Sequence, residues 1–170
     1  FLNKTPIGVF RNKNRDDLTV SKLKKEGYSV PRYEKDAGVH SHSEDEVIYE
    51  ILFGDLKKLV KDQIKKDQNV TITFMISDLT CHYNQITSKE QRSVRSCAEN
   101  IVRFAQTLKA KGKSVQVQVI YARPYGLNYF NQPEHAHHDL GIKAKEALDY
   151  FYKNGIRARA IHNFFGPEQR

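Results

Sequence analysis

The chain has 170 residues, of which 39% are hydrophobic and 28% charged, a composition typical of a globular protein rather than a disordered one. Its formal net charge of +8 favours acidic partners, but the basic residues are spread along the chain. We therefore interpret them as a solvated basic surface. No helix-turn-helix, RRM or KH signature accompanies them, so nucleic-acid binding is not expected. No stretch approaches the roughly 18 apolar residues that a membrane-spanning helix needs.

Residues 1–42 mix proline and glycine with short apolar runs, which indicates short strands and loops, with one local helix near Leu18 to Glu26. Ser43 begins the first well-marked helix, because Ser43 to Glu46 has the form of a capping box. Acidic residues in its first turn and lysines at its far end suit the helix dipole. We therefore predict one amphipathic helix over about 43–66, inside an N-terminal extension that covers residues 1–68.

Two segments of period-two hydrophobicity follow. Residues 70–76 and 115–121 alternate between apolar and polar side chains, which predicts two strands that each bury one face. Between them, Ser88 is predicted to cap a helix that ends before Gly112. The apolar stripe of this helix consists of Val94, Cys97, Ala98, Ile101, Ala105 and Leu108.

A loop rich in proline, glycine, asparagine and histidine is predicted over 123–139. The helix after it carries an apolar face between Ala144 and Phe151 and is expected to stop at Gly155. The tail from Ile156 to Phe165 is predicted to form one strand or two short ones. The order strand, helix, strand, helix, strand indicates an α+β fold with helices packed on one side of a mixed sheet.

The segment from Leu140 to Phe165 resembles the end of the OmpA-like peptidoglycan-binding domain. That family has a helix of the form RA-x-x-V-x-x-Y-L, a Gly-Ile turn, and a final strand that leads to a glycine. Here Lys143-Ala144 stands for the Arg-Ala pair, Asn154-Gly155-Ile156 matches the turn, and Gly166 closes the strand.

The resemblance continues upstream and covers residues 69–170. Val70 to Ser77 is similar to the first strand, Thr87 to Ala110 to the long first helix, and Val115 to Tyr121 to the central strand. It implies an OmpA-like β-α-β-α-β sandwich with helices packed on a mixed sheet.

In that family, a turn aspartate and a helix arginine grip a diaminopimelate residue of peptidoglycan. The carboxylate pairs with the ligand's ammonium, and the forked guanidinium pairs with its carboxylate. Here Arg123 stands at the aspartate position and Lys143 at the arginine position, so the pair is electropositive and lacks the fork. Asp139 is the candidate for a replacement anion, and Tyr125 and Asn128 complete the expected ligand-binding site.

This altered pair favours a structural or interaction component of a bacterial envelope complex. The resemblance implies an outer-membrane-associated subunit of a secretion-system core, such as a type IVB (Dot/Icm) system, at the periplasmic face of the Gram-negative outer membrane. The expected partners are other subunits of that complex, and a lipid anchor is expected upstream of Phe1. The alternative is a peptidoglycan-binding anchor protein that tethers the outer membrane to the cell wall. Neither an enzymatic activity nor a cofactor is expected, because no nucleophile motif and no glycine-rich phosphate loop occur.

A histidine-rich run is the nearest approach to a metal site. His135, His137 and His138, with Glu134 or Asp139, are the weak candidates for binding zinc, nickel or copper. A polar loop is the favoured interpretation, because no predicted helix sets the spacing of the histidines.

The only two cysteines are Cys81 and Cys97, and neither lies in a CxxC motif. A disulfide between them is one interpretation, and a buried core cysteine at position 97 is the other. Among the aromatic residues near Arg123, Phe130 is expected to pack within the loop. For Tyr125 and Tyr129, packing and stacking on a sugar or a partner side chain both stay open.

Overall fold

The computed structural model describes residues 1–11, 13–14, 17–28, 32–34, 38–41, 43–67, 69–78, 85–86, 93–94, 97–110, 114–123 and 127–161. Helices and strands both contribute, which confirms the prediction of a mixed α and β fold. The helices are α1 (Asp17–Lys25), α2 (Ser43–Leu52), α3 (Leu56–Lys66), α4 (Cys97–Ala110) and α5 (His138–Lys153). The strands are β1 (Lys13–Asn14), β2 (Arg32–Glu34), β3 (Gly38–Ser41), β4 (Asn69–Asp78), β5 (Gln85–Ile86), β6 (Ser93–Val94), β7 (Ser114–Arg123) and β8 (Arg157–Ala160).

Three parallel strands form the main sheet, in the order β4–β7–β8. Parallel pairing requires crossover connections, and α4 and α5 provide them. Phe74 lies beside Val119 in the register of β4 and β7, and both belong to one buried cluster with residues of α4 and α5. There, Phe74 meets Phe104 of α4 edge to face, with 5.9 Å between ring centroids. The strands predicted over 70–76 and 115–121 are therefore confirmed.

The antiparallel component of the expected mixed sheet is small. The named strands of the main sheet are parallel, and Leu2 adds an antiparallel bridge to Ile72 on the outer edge of β4. The backbone N–H of Asn3 donates to the carbonyl oxygen of Thr71 at 2.6 Å. In return, the Thr71 N–H donates to the Asn3 side-chain oxygen at 2.9 Å. The N-terminal segment therefore covers part of the outer edge of β4.

The remaining strands form two small antiparallel units. β3 lies between β1 and β2 in one of them, and β5 pairs with β6 in the other. The short strands and the local helix expected within residues 1–42 are confirmed, since α1 spans Asp17–Lys25.

The single helix predicted over 43–66 is wrong, because the chain forms α2 and α3 with a break between them. The Glu50 carboxylate turns back at the break and accepts the backbone N–H of Asp55 at 3.1 Å. Gly54 makes room for it, since a Cβ there would lie 2.0 Å from the Glu50 carboxylate. The Glu50 side chain thus takes the place of a backbone acceptor in the helix. The hydrophobic periodicity of the sequence does not report such a hydrogen bond, so it did not predict the break.

The helix predicted from Ser88 is not continuous, and Ser88 itself lies outside the described residues. Residues Ser93 and Val94 form β6 and pair with β5, and the helix begins at Cys97. The segment from Thr87 to Ser93 offers a capping-box pattern but no apolar side chain to bury. Packing of an apolar face supplies most helical stability in proteins, so a capping pattern alone is a weak helix signal.

The first turn of α2 carries an acidic group that is removed from solvent. Glu44, Asp45 and Glu46 are all buried, although acidic side chains are seldom buried without partners. The side-chain amide of Asn100, itself fully buried in α4, donates to the Asp45 carboxylate at 2.8 Å. This charge-assisted hydrogen bond joins α2 to α4.

A second polar contact joins α1 to α4. The Arg103 side chain donates from Nε to the carbonyl oxygen of Glu26, at the end of α1, at 2.7 Å. Its guanidinium also lies 5.8 Å from the centre of the Tyr28 ring. Gly27 has a φ of +81°, and a Cβ there would lie 2.2 Å from the guanidinium, so a glycine is required.

The N-terminal residues belong to the same hydrophobic core as the sheet. Leu23 of α1 and Ile48 of α2 are almost completely buried, in one cluster with Phe74 and Phe151. The boundary that we place between residues 68 and 69 stays a prediction, since the shared core does not by itself decide how the chain divides.

The buried face of α5 and its end before Gly155 agree with the prediction from the sequence. In α5, Ala144, Ala147 and Phe151 are buried, and the helix ends before Gly155, whose φ is +70°. The N–H of Ile156 donates to the carbonyl oxygen of Phe151 at 2.9 Å, which closes the helix end. Among the described residues, no helix is both long and apolar enough to cross a membrane.

We predict that Leu23→Ala lowers the free energy of unfolding by about 2–5 kcal/mol, because it opens a cavity in the shared core. Urea denaturation followed by circular dichroism measures the change. The control is Leu59→Ala in α3, whose side chain is 46% exposed and whose loss should cost under about 1 kcal/mol. An effect of Leu23→Ala no larger than that of the control would show that α1 contributes little to this core.

Alkaline pH is predicted to destabilise the fold through two tyrosines. Burial raises the pKa of Tyr28 and of Tyr121 above the ordinary 10.0, and for Tyr28 this outweighs the opposing effect of its hydrogen bond with Thr107. Above about pH 10 the unfolded chain therefore loses protons that the folded chain keeps, so stability falls as pH rises.

Denaturation curves at about pH 8 and about pH 11 measure this loss. Tyr28→Phe and Tyr121→Phe should each reduce it, whereas Tyr152→Phe, at a ring that is 85% exposed, should leave it unchanged. An equal loss in all four proteins would contradict the assignment to the buried phenols.

Candidate functional site

The carboxyl ends of the three parallel strands meet at one edge of the main sheet, where ligands bind in many open sheets of this kind. A small apolar cluster organises this edge. Tyr121 of β7, Ala144 of α5 and Ala160 of β8 are buried against one another. Leu127, in a single 3₁₀ turn over Leu127–Tyr129, packs against them. The cluster therefore holds the start of α5 over the ends of β7 and β8.

The two residues of the altered pair flank this cluster. Arg123 is the last residue of β7, two positions after Tyr121, and Lys143 directly precedes Ala144 in α5. Both side chains are exposed. The backbone register places Arg123 beside Asp78 at the end of β4. The fold thus brings both sequence-predicted cations to the same edge of the sheet.

The other expected site residues are distributed around this edge. Asp139 lies in the first turn of α5 and is exposed, where the helix dipole favours a negative charge. Asn128 lies in the 3₁₀ turn, and its side chain is also exposed. Tyr125 lies outside the described residues. The described part of the site is therefore an open surface and not an enclosed cavity.

A close backbone approach fixes the loop before α5. A Cβ on Gly141 would lie 2.4 Å from the backbone nitrogen of Phe130 and 2.8 Å from the carbonyl carbon of Tyr129. The ring nitrogen Nδ1 of His138 and the carbonyl oxygen of Tyr129 form a second contact at 3.1 Å. Gly141 was not predicted as a site residue. An isolated glycine inside a helical pattern often indicates close packing, and this was the signal that could have identified it.

The histidine run packs within the loop. The Tyr129 and His135 rings stack with centroids 4.1 Å apart and planes 12° apart. The backbone N–H of His137 donates to Nδ1 of His135 at 3.1 Å. One of the three weak metal candidates thus accepts a backbone hydrogen bond, and His138 contacts a carbonyl. Over the part of the chain that the structure describes, no group of three potential donors is arranged to hold a metal ion.

Cys97 is the first residue of α4 and is completely buried. Its expected partner, Cys81, lies outside the described residues. The disulfide therefore stays a prediction.

We predict that Gly141→Ala displaces the loop from α5 and lowers the free energy of unfolding by about 1–3 kcal/mol, as overpacking does. Thermal unfolding gives the energy, and amide chemical shifts of residues 127–138 report the displacement. The control is Ile142→Ala, since that neighbouring side chain is 36% exposed and its truncation adds no atoms. Unchanged loop shifts in Gly141→Ala would show that the loop is held by other contacts.

No protein-family model, no curated protein and no solved structure matches the chain. The site is therefore characterised by its own geometry, as an exposed charged surface at the carboxyl edge of a parallel sheet.

Proposed function

We propose that the chain is a structural and interaction component of a bacterial envelope complex, with an OmpA-like domain whose peptidoglycan site is altered. In this proposal it is an outer-membrane-associated subunit of a secretion-system core, such as an accessory lipoprotein of the DotK kind in a type IVB (Dot/Icm) system. It acts at the periplasmic face and performs no catalysis.

One observation carries the proposal. The strand and helix that supply Arg123 and Lys143 are packed together through Tyr121 and Ala144, so two cations flank the edge where the family grips its ligand. Arg123 cannot pair with the ammonium of a diaminopimelate residue as the family's aspartate does, and Lys143 cannot form the bidentate pair with its carboxylate. The site therefore lacks both contacts that hold the zwitterionic ligand of the family, which favours contact with a neighbouring subunit.

The extent of the packed core also supports a scaffold. Leu23 and Ile48 from the N-terminal extension are buried with the sheet, so the extension and the sheet present their surfaces in a set arrangement. A subunit that positions its neighbours needs such a fixed arrangement, because binding to a rigid surface costs less conformational entropy.

The test is retention on purified peptidoglycan sacculi, together with co-purification from solubilised envelopes. Wild type is compared with Arg123→Ala and Lys143→Ala, at low and high salt. The matched control is Lys153→Ala, which removes the same charge from an exposed position at the far end of α5. The control is needed because a net charge of +8 attracts a polyanionic wall without any specific site.

We expect the three variants to lose sacculus retention equally as salt rises, and the wild-type chain to co-purify with a large envelope assembly. Retention that survives high salt and is lost only in Arg123→Ala and Lys143→Ala would instead assign the chain to the peptidoglycan-anchoring alternative. A wild-type chain that neither enters an assembly nor is retained would overturn both functions.

A further inference from the structure

We propose that the outer edge of β8 is a docking site for an extended segment of a partner protein, in which apolar and acidic side chains alternate. The inference rests on the proposed function, since it names the surface through which an interaction subunit would contact its neighbour. It concerns a different surface from the charged one at the carboxyl edge of the sheet.

The first step is the position of β8 in the sheet. Among the strands that the structure describes, β8 pairs with β7 on one side only, and it ends the order β4–β7–β8. Alternate residues of such a strand direct their backbone N–H and C=O groups away from the sheet. An extended peptide that adds as a further strand would satisfy them, a recurring mode of peptide recognition.

The second step is a groove beside this edge. It has a volume of about 570 Å³, and α5, the turn after it, and β8 form its walls. No residue of β7 lines it, so the groove lies on the side of β8 that faces away from the sheet. Its lining residues are Leu148, Tyr152, Gly155, Ile156, Arg157, Ala158 and Arg159.

The third step is an exposed aromatic side chain on the wall of the groove. Tyr152 is 85% exposed, whereas Leu148, one turn earlier on α5, is half-buried. Tyrosines are enriched at protein interfaces, because they offer a large apolar surface, a polar tip and few rotatable bonds. A partner side chain that points into the groove would therefore contact Tyr152, Leu148 and Ala158, and it is expected to be apolar.

The fourth step is the charge of the edge. Arg157 and Arg159 are two positions apart in β8, so they lie on the opposite face of the strand from Ala158. Asp149, one turn before Tyr152 on α5, already forms an ion pair with Lys145. Arg157 is exposed, so this face of the edge offers a cation, and a cross-strand partner of Arg157 is expected to be acidic.

The partner segment is expected to alternate between apolar and acidic residues. Successive side chains of an added strand point alternately to the side of β8 that carries Ala158 and to the side that carries Arg157, so apolar and acidic residues alternate. A peptide of alternating valine and glutamate carries this pattern and serves as the probe.

The test titrates this labelled peptide against the full chain by fluorescence anisotropy, with amide hydrogen exchange as a second readout. Two further peptides control for the pattern: one with lysine in place of glutamate, and one with alternate backbone nitrogens methylated. We expect the valine–glutamate peptide to bind, both control peptides to bind at least about tenfold more weakly, and alternate amides of β8 to exchange more slowly in the complex.

Protein variants locate the site. Tyr152→Ala and Arg157→Glu change exposed side chains, so folding should be kept, and each should weaken binding about tenfold. The matched control is Lys153→Glu, which reverses a charge on α5 outside the groove lining and should change binding by less than about twofold. A third variant, Arg157→Lys, keeps the charge and should bind nearly as well as wild type.

No binding of the valine–glutamate peptide, or binding that Tyr152→Ala and Arg157→Glu leave unchanged, would overturn the inference. So would a dimer of the chain that these two variants dissociate, since the edge would then belong to a second copy. If the peptide fails to bind while the chain still co-purifies with an envelope assembly, only the docking site is lost. If the peptide binds but no assembly is recovered, the proposed function is the one that fails.

Discussion

The parallel pairing of β4 with β7 runs the length of both strands, from Asn69 beside Ser114 to Asp78 beside Arg123. Two strands that run the same way cannot be joined by a tight turn, so the chain must leave the sheet and return over one face. That requirement places α4 and α5 together on the apolar face, where Phe104 and Phe151 are completely buried. The same pairing brings the carboxyl ends of the strands to one edge, and the candidate site depends on that coincidence.

Much of the central fold could be predicted because its signals are local. The apolar residues of β4 and β7 alternate, and the glycine after α5 marks the helix end, so pattern and propensity agree there. The two wrong predictions, one helix over 43–66 and a continuous helix from Ser88, depend on contacts that are not local patterns. The break at Gly54 depends on the Glu50 side chain replacing a helical hydrogen bond, and Ser93 and Val94, which were predicted within α4, pair with β5 instead. Residue spacing does not predict a hydrogen bond from a side chain to the backbone, and it does not predict which element a segment pairs with.

The candidate site shows the same division. Resemblance located Arg123 and Lys143, and the fold brings both to one edge, because the strand and the helix that carry them pack on each other. The loop between them was predicted only as a loop. The backbone of Phe130 approaches Gly141 closely, and the glycine in the helical pattern was a signal of close packing that did not name its partner. Sequence therefore located the charged side chains but not the backbone contact that packs the loop against α5.

The covering of β4 by the N-terminal residues limits how copies of this chain can associate. A sheet with two open edges can add strands at both ends, and association can then continue into a fibre. Here the bridge between Leu2 and Ile72 occupies part of one outer edge, so over the described residues β8 is the fully open one. The covered stretch of β4 around Ile72 cannot pair with a strand from another molecule. Strand addition at that end of the sheet is therefore restricted, and copies of the chain are less able to stack edge to edge at both ends.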